Sequence, residues 1–293
     1  MSLPIFEYKA AQTMEEACNL KAELGDKCVV IAGGTDMIPY LRDRVLTPEF
    51  VIDLKEIKGY DGIEFVPGEG LRIGALAKLN DIEGSAIVKA HVPAVADAAH
   101  YVASKQIRCK GTMAGNMCNA SPSADTPPIL IAMDAKVQTM RKTGVGRTIP
   151  MSKFNTGFKK IDLDKEEGEL ITEIDVPELQ PGEGSAYYKH AVRKAMDLAI
   201  IGVAAWVKMD GNKIQDCRIV IGGAAIMPVR SPSAEKLLIG QVFSDDLLER
   251  AAEATKNDIK PIDDVRASAE YRTDMVRVFT KRSVKKALET LKA

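Results

Sequence analysis

The chain has 293 residues, of which 46% are hydrophobic, so it is long enough to bury a sizeable core in two compact domains or three small ones. A total of 40 Lys and Arg against 41 Asp and Glu leaves a net charge of −1, which excludes a global attraction to nucleic acid or to an anionic membrane. No stretch approaches the roughly 18 uncharged apolar residues of a membrane span, and the first residues lack a signal-peptide pattern, so we predict a cytoplasmic protein with no membrane span.

The N-terminal part predicts a helix between short strands. Thr13 is placed to cap the helix, Glu16 to return a hydrogen bond to the cap amide, and the helix should end near Gly25. The apolar run 28–32 predicts a buried strand, and residues 50–54 predict a second one. The first of these strands leads directly into a pair of glycines.

The middle of the chain predicts one more strand, at residues 71–75, and a helix beginning near Asn80. Residues 92–103 have helical character, with Pro93 where a first helical turn tolerates proline. Between residues 108 and 128 the periodicity disappears. We therefore predict a long functional loop there.

The sequence pattern changes to long apolar runs after residue 178, where we place the domain boundary. Apolar runs at 199–208 and 214–221 flank Asp210-Gly211-Asn212, which predicts a β-hairpin. The predicted helices that follow are 244–256 and roughly 265–291. The predicted division is a first domain of residues 1–178, with subdomains of about 1–55 and 56–178, and a second domain of residues 179–293.

The first chemical signal is Gly33-Gly34-Thr35-Asp36 after the buried strand. Adjacent glycines allow a sharp turn that presents successive amides to an anion such as a diphosphate, and Thr35 adds a hydroxyl. Without a Cβ at Gly33 or Gly34, a ligand could lie against the peptide plane. The segment is neither a P-loop nor a Gly-x-Gly-x-x-Gly fingerprint, and a plain tight turn is the alternative.

The second signal is the segment 111–128, which is rich in small and polar residues. Small side chains permit close approach by a large flat ligand, and Asp125 is suited to accept a hydrogen bond from a ribose hydroxyl. The alternative is an ordinary helix start in which Asp125 or Thr126 is the cap before Pro127. The residues alone do not separate these two interpretations.

The third signal is Tyr187-Tyr188-Lys189, followed by Arg193 and Asp197. A cation beside a flavin stabilises negative charge on the reduced ring, whereas the simpler interpretation is a surface strand with solvated charges. The five cysteines are odd in number and lack the CxxC spacing of metal ligation, so we predict reduced thiols, no metal site and any iron–sulfur cluster on another polypeptide.

These segments, in this order, resemble the FAD-binding medium subunit of the molybdenum hydroxylases, the family of xanthine dehydrogenase and aerobic carbon monoxide dehydrogenase. Residues 32–36 resemble the first FAD loop, 106–108 with 111–116 the second, and 120–125 its extension. Further matches at 73–76, at 169–174 and around Lys189 extend the similarity over essentially the whole chain.

The resemblance implies an α+β fold, with a two-subdomain FAD-binding domain of the vanillyl-alcohol-oxidase/PCMH type before a C-terminal CO-dehydrogenase-flavoprotein-like domain of a small antiparallel sheet and helices. It also implies noncovalent FAD, with molybdopterin and [2Fe–2S] clusters only on large and small partner subunits in a dimer of heterotrimers. Electrons would pass from the clusters to NAD, oxygen or a quinone.

The family's FAD contacts carry over to a set of residues in this chain, none of them an acid–base catalyst. Asp125 resembles a ribose contact, Lys189 a flavin-side lysine, and Val102 and Ile171 apolar contacts. The implied cofactor-binding residues are Val30, Ile31, Ala32, Gly33, Gly34, Thr35, Asp36, Met37, Val102, Thr112, Met113, Ala114, Gly115, Asn116, Asp125, Ile171 and Lys189.

Two departures and three alternatives accompany the resemblance. Ala114 stands where many relatives have glycine, which we expect the site to absorb, and the four-cysteine insertion of the 4-hydroxybenzoyl-CoA reductases is not visible. The alternatives are a self-sufficient FAD-dependent oxidoreductase, a flavin-free assembly subunit of the same fold, and an NAD-binding dehydrogenase, which the missing Gly-x-Gly-x-x-Gly disfavours.

Overall fold

The computed structural model describes residues 2–292, which form four sheets with helices packed around them. The N-terminal elements are β1 (Glu7–Ala10), α1 (Met14–Leu24), β2 (Cys28–Ile31), α2 (Met37–Arg42) and β3 (Phe50–Asp53). Their strands form a parallel sheet in the order β1-β3-β2. Because β2 lies at the edge of this sheet, its two central valines are only half-buried, unlike the fully buried strand that the sequence predicts.

Helix α1 confirms most of the predicted capping pattern. The Thr13 hydroxyl accepts a hydrogen bond from the Glu16 amide at 3.1 Å, and Gly25 ends the helix with a φ of 55°. The predicted return bond is displaced by one residue, because the Glu16 carboxylate accepts from the Gln12 amide at 2.7 Å instead of from the cap residue. The helix is therefore closed at both ends by local interactions.

The second sheet has five antiparallel strands in the order β4-β5-β10-β6-β7, and a two-stranded hairpin, β8-β9, lies outside it. The strands are β4 (Ile63–Val66), β5 (Gly70–Gly74), β6 (Lys136–Met140), β7 (Thr148–Pro150), β8 (Asn155–Gly157), β9 (Lys160–Ile161) and β10 (Leu170–Pro177). The intervening helices are α3 (Leu79–Gly84), α4 (Ala86–His91), α5 (Pro93–Tyr101), α6 (Lys105–Arg108), α7 (Met113–Cys118), α8 (Thr126–Ala132) and α9 (Met151–Phe154).

The prediction of one long loop over residues 108–128 is wrong. The segment contains α7 and the start of α8, although glycine and asparagine within α7 are weak helix formers. Burial of Met113, Ala114 and Met117 stabilises α7, so tertiary packing overrides local propensity. In α8 both prolines lie in the first turn, where a missing N–H costs nothing.

The C-terminal part is an antiparallel sheet in the order β11-β12-β13-β14, followed by helices. Its elements are β11 (Glu183–His190), β12 (Ile201–Asp210), β13 (Lys213–Gly222), β14 (Val229–Arg230), α10 (Pro232–Leu238), α11 (Asp245–Ala254) and α12 (Ala269–Glu289). The predicted hairpin at Asp210-Gly211-Asn212 is confirmed, with Gly211 at a φ of 56°. The last helix begins four residues later than predicted, after its cap Ser268.

Both faces of this sheet are buried, which explains its continuous apolar runs. Ala204, Trp206 and Val220 belong to the core beneath the five-stranded sheet, whereas Val203 and Ile219 belong to a second core under the C-terminal helices. The α+β class is confirmed, while the division at residue 178 stays a prediction. No helix within residues 2–292 is long and apolar enough to cross a membrane.

Candidate functional site

The turn between β2 and α2 carries main-chain amides without partners. None of residues 2–292 accepts a hydrogen bond from the amides of residues 33–37. Gly34 has a φ of 75°, a left-handed conformation that aligns neighbouring N–H groups in such turns. The turn therefore offers a row of free donors to an anion.

The two predicted loops are in direct contact, and their glycines make this possible. A Cβ added to Gly33 would lie 2.1 Å from the Lys110 carbonyl oxygen and 2.7 Å from the Gly111 Cα. A Cβ on Gly111 would lie 3.2 Å from the Thr35 hydroxyl oxygen, and one on Gly34 would lie 2.9 Å from the Ile31 side chain. Protein therefore fills the space that a Cβ would take at Gly33 and Gly34, and contact of a ligand with the peptide plane of these glycines stays a prediction.

The second loop is ordered by its own polar side chains. The Thr112 hydroxyl caps α7 by accepting from the Gly115 amide at 3.0 Å, and the Asn116 side chain accepts from the Thr126 hydroxyl at 2.7 Å. Ala114 is buried in the main apolar core with Met113. The methyl group by which Ala114 departs from the family pattern therefore packs into the core, whereas Gly115 is exposed.

Asp125 and Lys189 form a buried ion pair that the sequence did not reveal. The Lys189 ammonium donates to Asp125 Oδ2 at 2.9 Å, and the Tyr187 hydroxyl donates to Asp125 Oδ1 at 2.8 Å. Burial raises the pKa of Asp125 to about 6, although Lys189 and Tyr187 act in the opposite direction. The side chains of Asp125 and Lys189 are only 7% and 6% exposed, so the interpretation of residues 187–189 as a surface strand with solvated charges is wrong for Lys189. Asp125 lies at the cap position of α8, but its side chain does not cap the helix.

Lys189 also connects parts of the chain that are distant in sequence. Its ammonium donates to the carbonyl oxygens of Tyr101 at 2.9 Å and Asp197 at 2.7 Å, in addition to the Asp125 carboxylate. An ammonium has three N–H donors, so all of them are engaged. Lys189 is thereby positioned to hold neighbouring residues in place, and a further hydrogen bond would require it to release one of these.

Arg108, the last residue of the Gln106-Ile107-Arg108 motif, makes buried hydrogen bonds that sequence analysis did not predict. Its buried guanidinium donates to Glu83 at 2.6 Å and to the Val102 carbonyl oxygen at 3.0 Å. Val102 lies in the same apolar cluster as Ile171, Met113 and Ala114. The predicted apolar residues and the second loop therefore share the main core, and Arg108 fixes the main chain at Val102.

Lys159 is the other residue that sequence analysis missed. It lies in the turn of the β8-β9 hairpin with a φ of 55°, and its ammonium donates to Asn119 Oδ1 at 2.7 Å and to the Tyr40 hydroxyl at 3.1 Å. Tyr40 is in α2, directly after the first loop, and Asn119 ends α7, directly after the second. No local signal marks these contacts, because the partners are 119 and 40 positions away.

The first loop also carries one negative charge close to Lys159. Desolvation raises the pKa of Asp36, although the residue remains exposed, and the positive charge of Lys159 opposes this shift. Of the other predicted residues in this stretch, Val30 packs toward α1, and Ile31 and Met37 pack on the opposite side of the sheet. The loop itself is therefore held between two small apolar clusters.

Comparison with known proteins places this geometry in a family. The family model described as the FAD binding domain in molybdopterin dehydrogenase matches residues 4–179, and that of the CO dehydrogenase flavoprotein C-terminal domain matches residues 186–287. The chain is 34% identical to the glyceraldehyde dehydrogenase medium chain of Sulfolobus acidocaldarius, over 96% of this chain and 98% of that protein. It is 32% identical to the xanthine dehydrogenase FAD-binding subunit of Escherichia coli O157:H7, over 96% of this chain and 95% of that protein.

A solved structure agrees over the full length. The carbon monoxide dehydrogenase of Hydrogenophaga pseudoflava, in a form lacking the Mo-pyranopterin moiety of its cofactor, superimposes with a TM-score of 0.94, covers 100% of both chains and is 32% identical. The fold and the paired loops therefore define a flavoprotein with an FAD-binding domain and a CO dehydrogenase flavoprotein C-terminal domain.

Within that class the chain belongs to the molybdenum hydroxylase family, as an FAD-binding medium subunit of the carbon monoxide and xanthine dehydrogenase type. It is accordingly a subunit of an oxidoreductase, which confirms the resemblance predicted from the sequence.

Proposed function

We propose that this chain holds one FAD noncovalently, takes electrons from [2Fe–2S] clusters on a partner subunit, and passes them to an external acceptor such as NAD, oxygen or a quinone. The observation that carries the proposal is the row of free amides at residues 33–37, placed against a second glycine-rich loop. When bound, FAD supplies redox chemistry that no side chain can perform, so the protein has to bind, orient and shield it.

The proposed site is built from the residues that the family resemblance implies. Residues 30–37 supply main-chain donors and the Thr35 hydroxyl for the diphosphate, and residues 112–116 supply the facing wall. Val102 and Ile171 contribute apolar surface. Asp125 is proposed to face the ribose and Lys189 the flavin, and the ion pair between them, with the Tyr187 hydroxyl on Asp125, supports a fixed arrangement of the two side chains.

The partners are part of the same proposal. Relatives that match this chain over nearly their whole length are medium chains, and the superimposed carbon monoxide dehydrogenase is an enzyme with a molybdenum cofactor. Both findings support a large molybdopterin subunit and a small [2Fe–2S] subunit. We further propose a dimer of heterotrimers working in the cytoplasm. The domain division at residue 178 is also proposed, with the support that the two family models match residues 4–179 and 186–287.

Flavin binding is tested by titrating the purified, flavin-depleted chain with FAD. Quenching of flavin fluorescence and a shifted absorbance spectrum should saturate near one FAD per chain, and denaturation should release unmodified FAD. A chain that binds no flavin under these conditions would contradict the proposal and favour the flavin-free assembly subunit.

Electron transfer is tested on the complex isolated from the native host through an affinity tag on this chain. Molybdenum, iron and FAD should copurify, and reversible removal of FAD should abolish reduction of external acceptors while the clusters are still reduced by dithionite. Oxidation of a substrate by the isolated chain with bound FAD would instead support a self-sufficient oxidoreductase.

A further inference from the structure

The two segments proposed to flank the diphosphate, residues 30–37 and 112–116, contain no lysine or arginine. A dinucleotide diphosphate carries two negative charges at neutral pH, and residues 30–37 add Asp36 without any lysine or arginine. Residues 112–116 carry no charge at all. Free amides stabilise an anion through partial charges, but an additional carboxylate beside the anion opposes binding. A cation from another part of the chain would offset this repulsion.

Most nearby cations are already engaged. Lys189 uses its three donors on Tyr101, Asp125 and Asp197, and its side chain is buried. The Arg108 guanidinium is buried against Glu83 and a main-chain carbonyl. Neither can turn toward the first loop without losing these bonds, which would leave polar groups unsatisfied in the interior.

Lys159 is placed differently. Its ammonium bonds to Tyr40 and Asn119, so it lies between the helices that follow the two loops, and it uses two of its three donors there. The residue is exposed, and it is electrostatically coupled to Asp36 in the first loop. One N–H of the Lys159 ammonium therefore remains for an anion.

We propose that Lys159 is a cofactor-binding residue that neutralises the FAD diphosphate from the β8-β9 hairpin and, through Tyr40 and Asn119, holds the two loops at a fixed spacing. This inference rests on the proposed flavin binding and adds to it a specific electrostatic contact.

The test compares Lys159→Met with two matched controls. Lys160→Met removes the neighbouring exposed lysine, and Lys110→Met removes the lysine whose main chain contacts Gly33. Affinities for FAD, ADP and riboflavin are measured by fluorescence or calorimetry between low and high salt. Circular dichroism melts verify that each variant is folded, which we expect because all three side chains lie on the surface.

We expect Lys159→Met to weaken FAD and ADP binding by about 10- to 150-fold, the fold-change that corresponds to one charge-assisted hydrogen bond. It should also reduce the salt dependence of FAD binding and leave riboflavin binding unchanged, while Lys159→Arg retains most of the affinity. Equal affinities of Lys159→Met and Lys160→Met for FAD would overturn the inference about Lys159 but not the proposed function. An equal loss for FAD and riboflavin would also overturn it, as would a loss confined to Lys110→Met, and failure of the wild-type chain to bind FAD would overturn the proposed function as well.

Discussion

Replacing Gly33 with alanine tests whether the contact between the two loops sets the geometry of the FAD site. The new Cβ would lie 2.1 Å from the Lys110 carbonyl oxygen, whereas ordinary contact begins near 3.4 Å, so the loops would have to separate by more than 1 Å. Overpacking of this kind costs roughly 1–3 kcal/mol of stability. The same shift takes an amide out of hydrogen-bonding range of the diphosphate, since such bonds weaken beyond about 3.2 Å.

The expected loss of FAD affinity follows from that displacement. One charge-assisted hydrogen bond is worth about 1.5–3 kcal/mol, so Gly33→Ala should raise the FAD dissociation constant by about 10- to 150-fold. The assay is a fluorescence titration at fixed salt, together with a urea unfolding curve. Gly84→Ala in α3 is the control, because a Cβ there meets nothing within 4 Å. Wild-type affinity and an unchanged urea midpoint in Gly33→Ala would refute the reasoning.

The remaining predictions concern buried charges. Desolvation raises the pKa of Glu169, but hydrogen bonds from Arg147, the Asp164 amide and Thr139 outweigh it and bring the pKa down to about 2. Because this folded-state pKa lies below the unfolded value, the contribution of Glu169 to stability is present above pH 4.5 and should be lost as the pH falls toward 2. Urea melts of Glu169→Gln should not show this loss. For Asp125 the sign is opposite: its pKa is raised to about 6, so the folded state gains stability as the pH falls from 6 to 4, and Asp125→Asn should flatten that part of the pH profile. Lys189→Met leaves the Asp125 carboxylate without its cation and should cost about 3–5 kcal/mol, most of which the double variant with Asp125→Asn should recover in the same melts.

Local signals in the sequence predict the elements that local interactions close. Thr13 and Gly25 bound α1 because the cap and the left-handed glycine act within a few residues. The hairpin at Asp210-Gly211-Asn212 is predicted for the same reason, since the turn conformation depends on the glycine itself. The position of the first glycine-rich loop is likewise visible, because a strand leads straight into Gly33.

The parts that sequence analysis missed depend on contacts between distant residues. Helix α7 exists because Met113 and Met117 are buried by the surrounding core, which no window of the sequence reports. Asp125 looks like a helix cap, but its carboxylate bonds to Tyr187 and Lys189, which are 62 and 64 positions away. The role of Gly33 also depends on tertiary contact, because its missing Cβ makes room for the second loop.

The buried pair also indicates why the two matched domains occur together. Lys189 lies on β11 of the C-terminal sheet, yet its ammonium bonds to the Tyr101 carbonyl and to Asp125, both in the part of the chain that matches the FAD-binding domain. Tyr101 precedes Val102, whose own carbonyl is held by Arg108 from the start of the second loop. A chain of hydrogen bonds therefore runs from the C-terminal sheet to the loops of the proposed site. Replacing both partners of a buried ion pair by apolar residues changes stability little, although removing one partner alone is costly. We therefore infer that the pair serves mainly to hold the proposed site to that sheet.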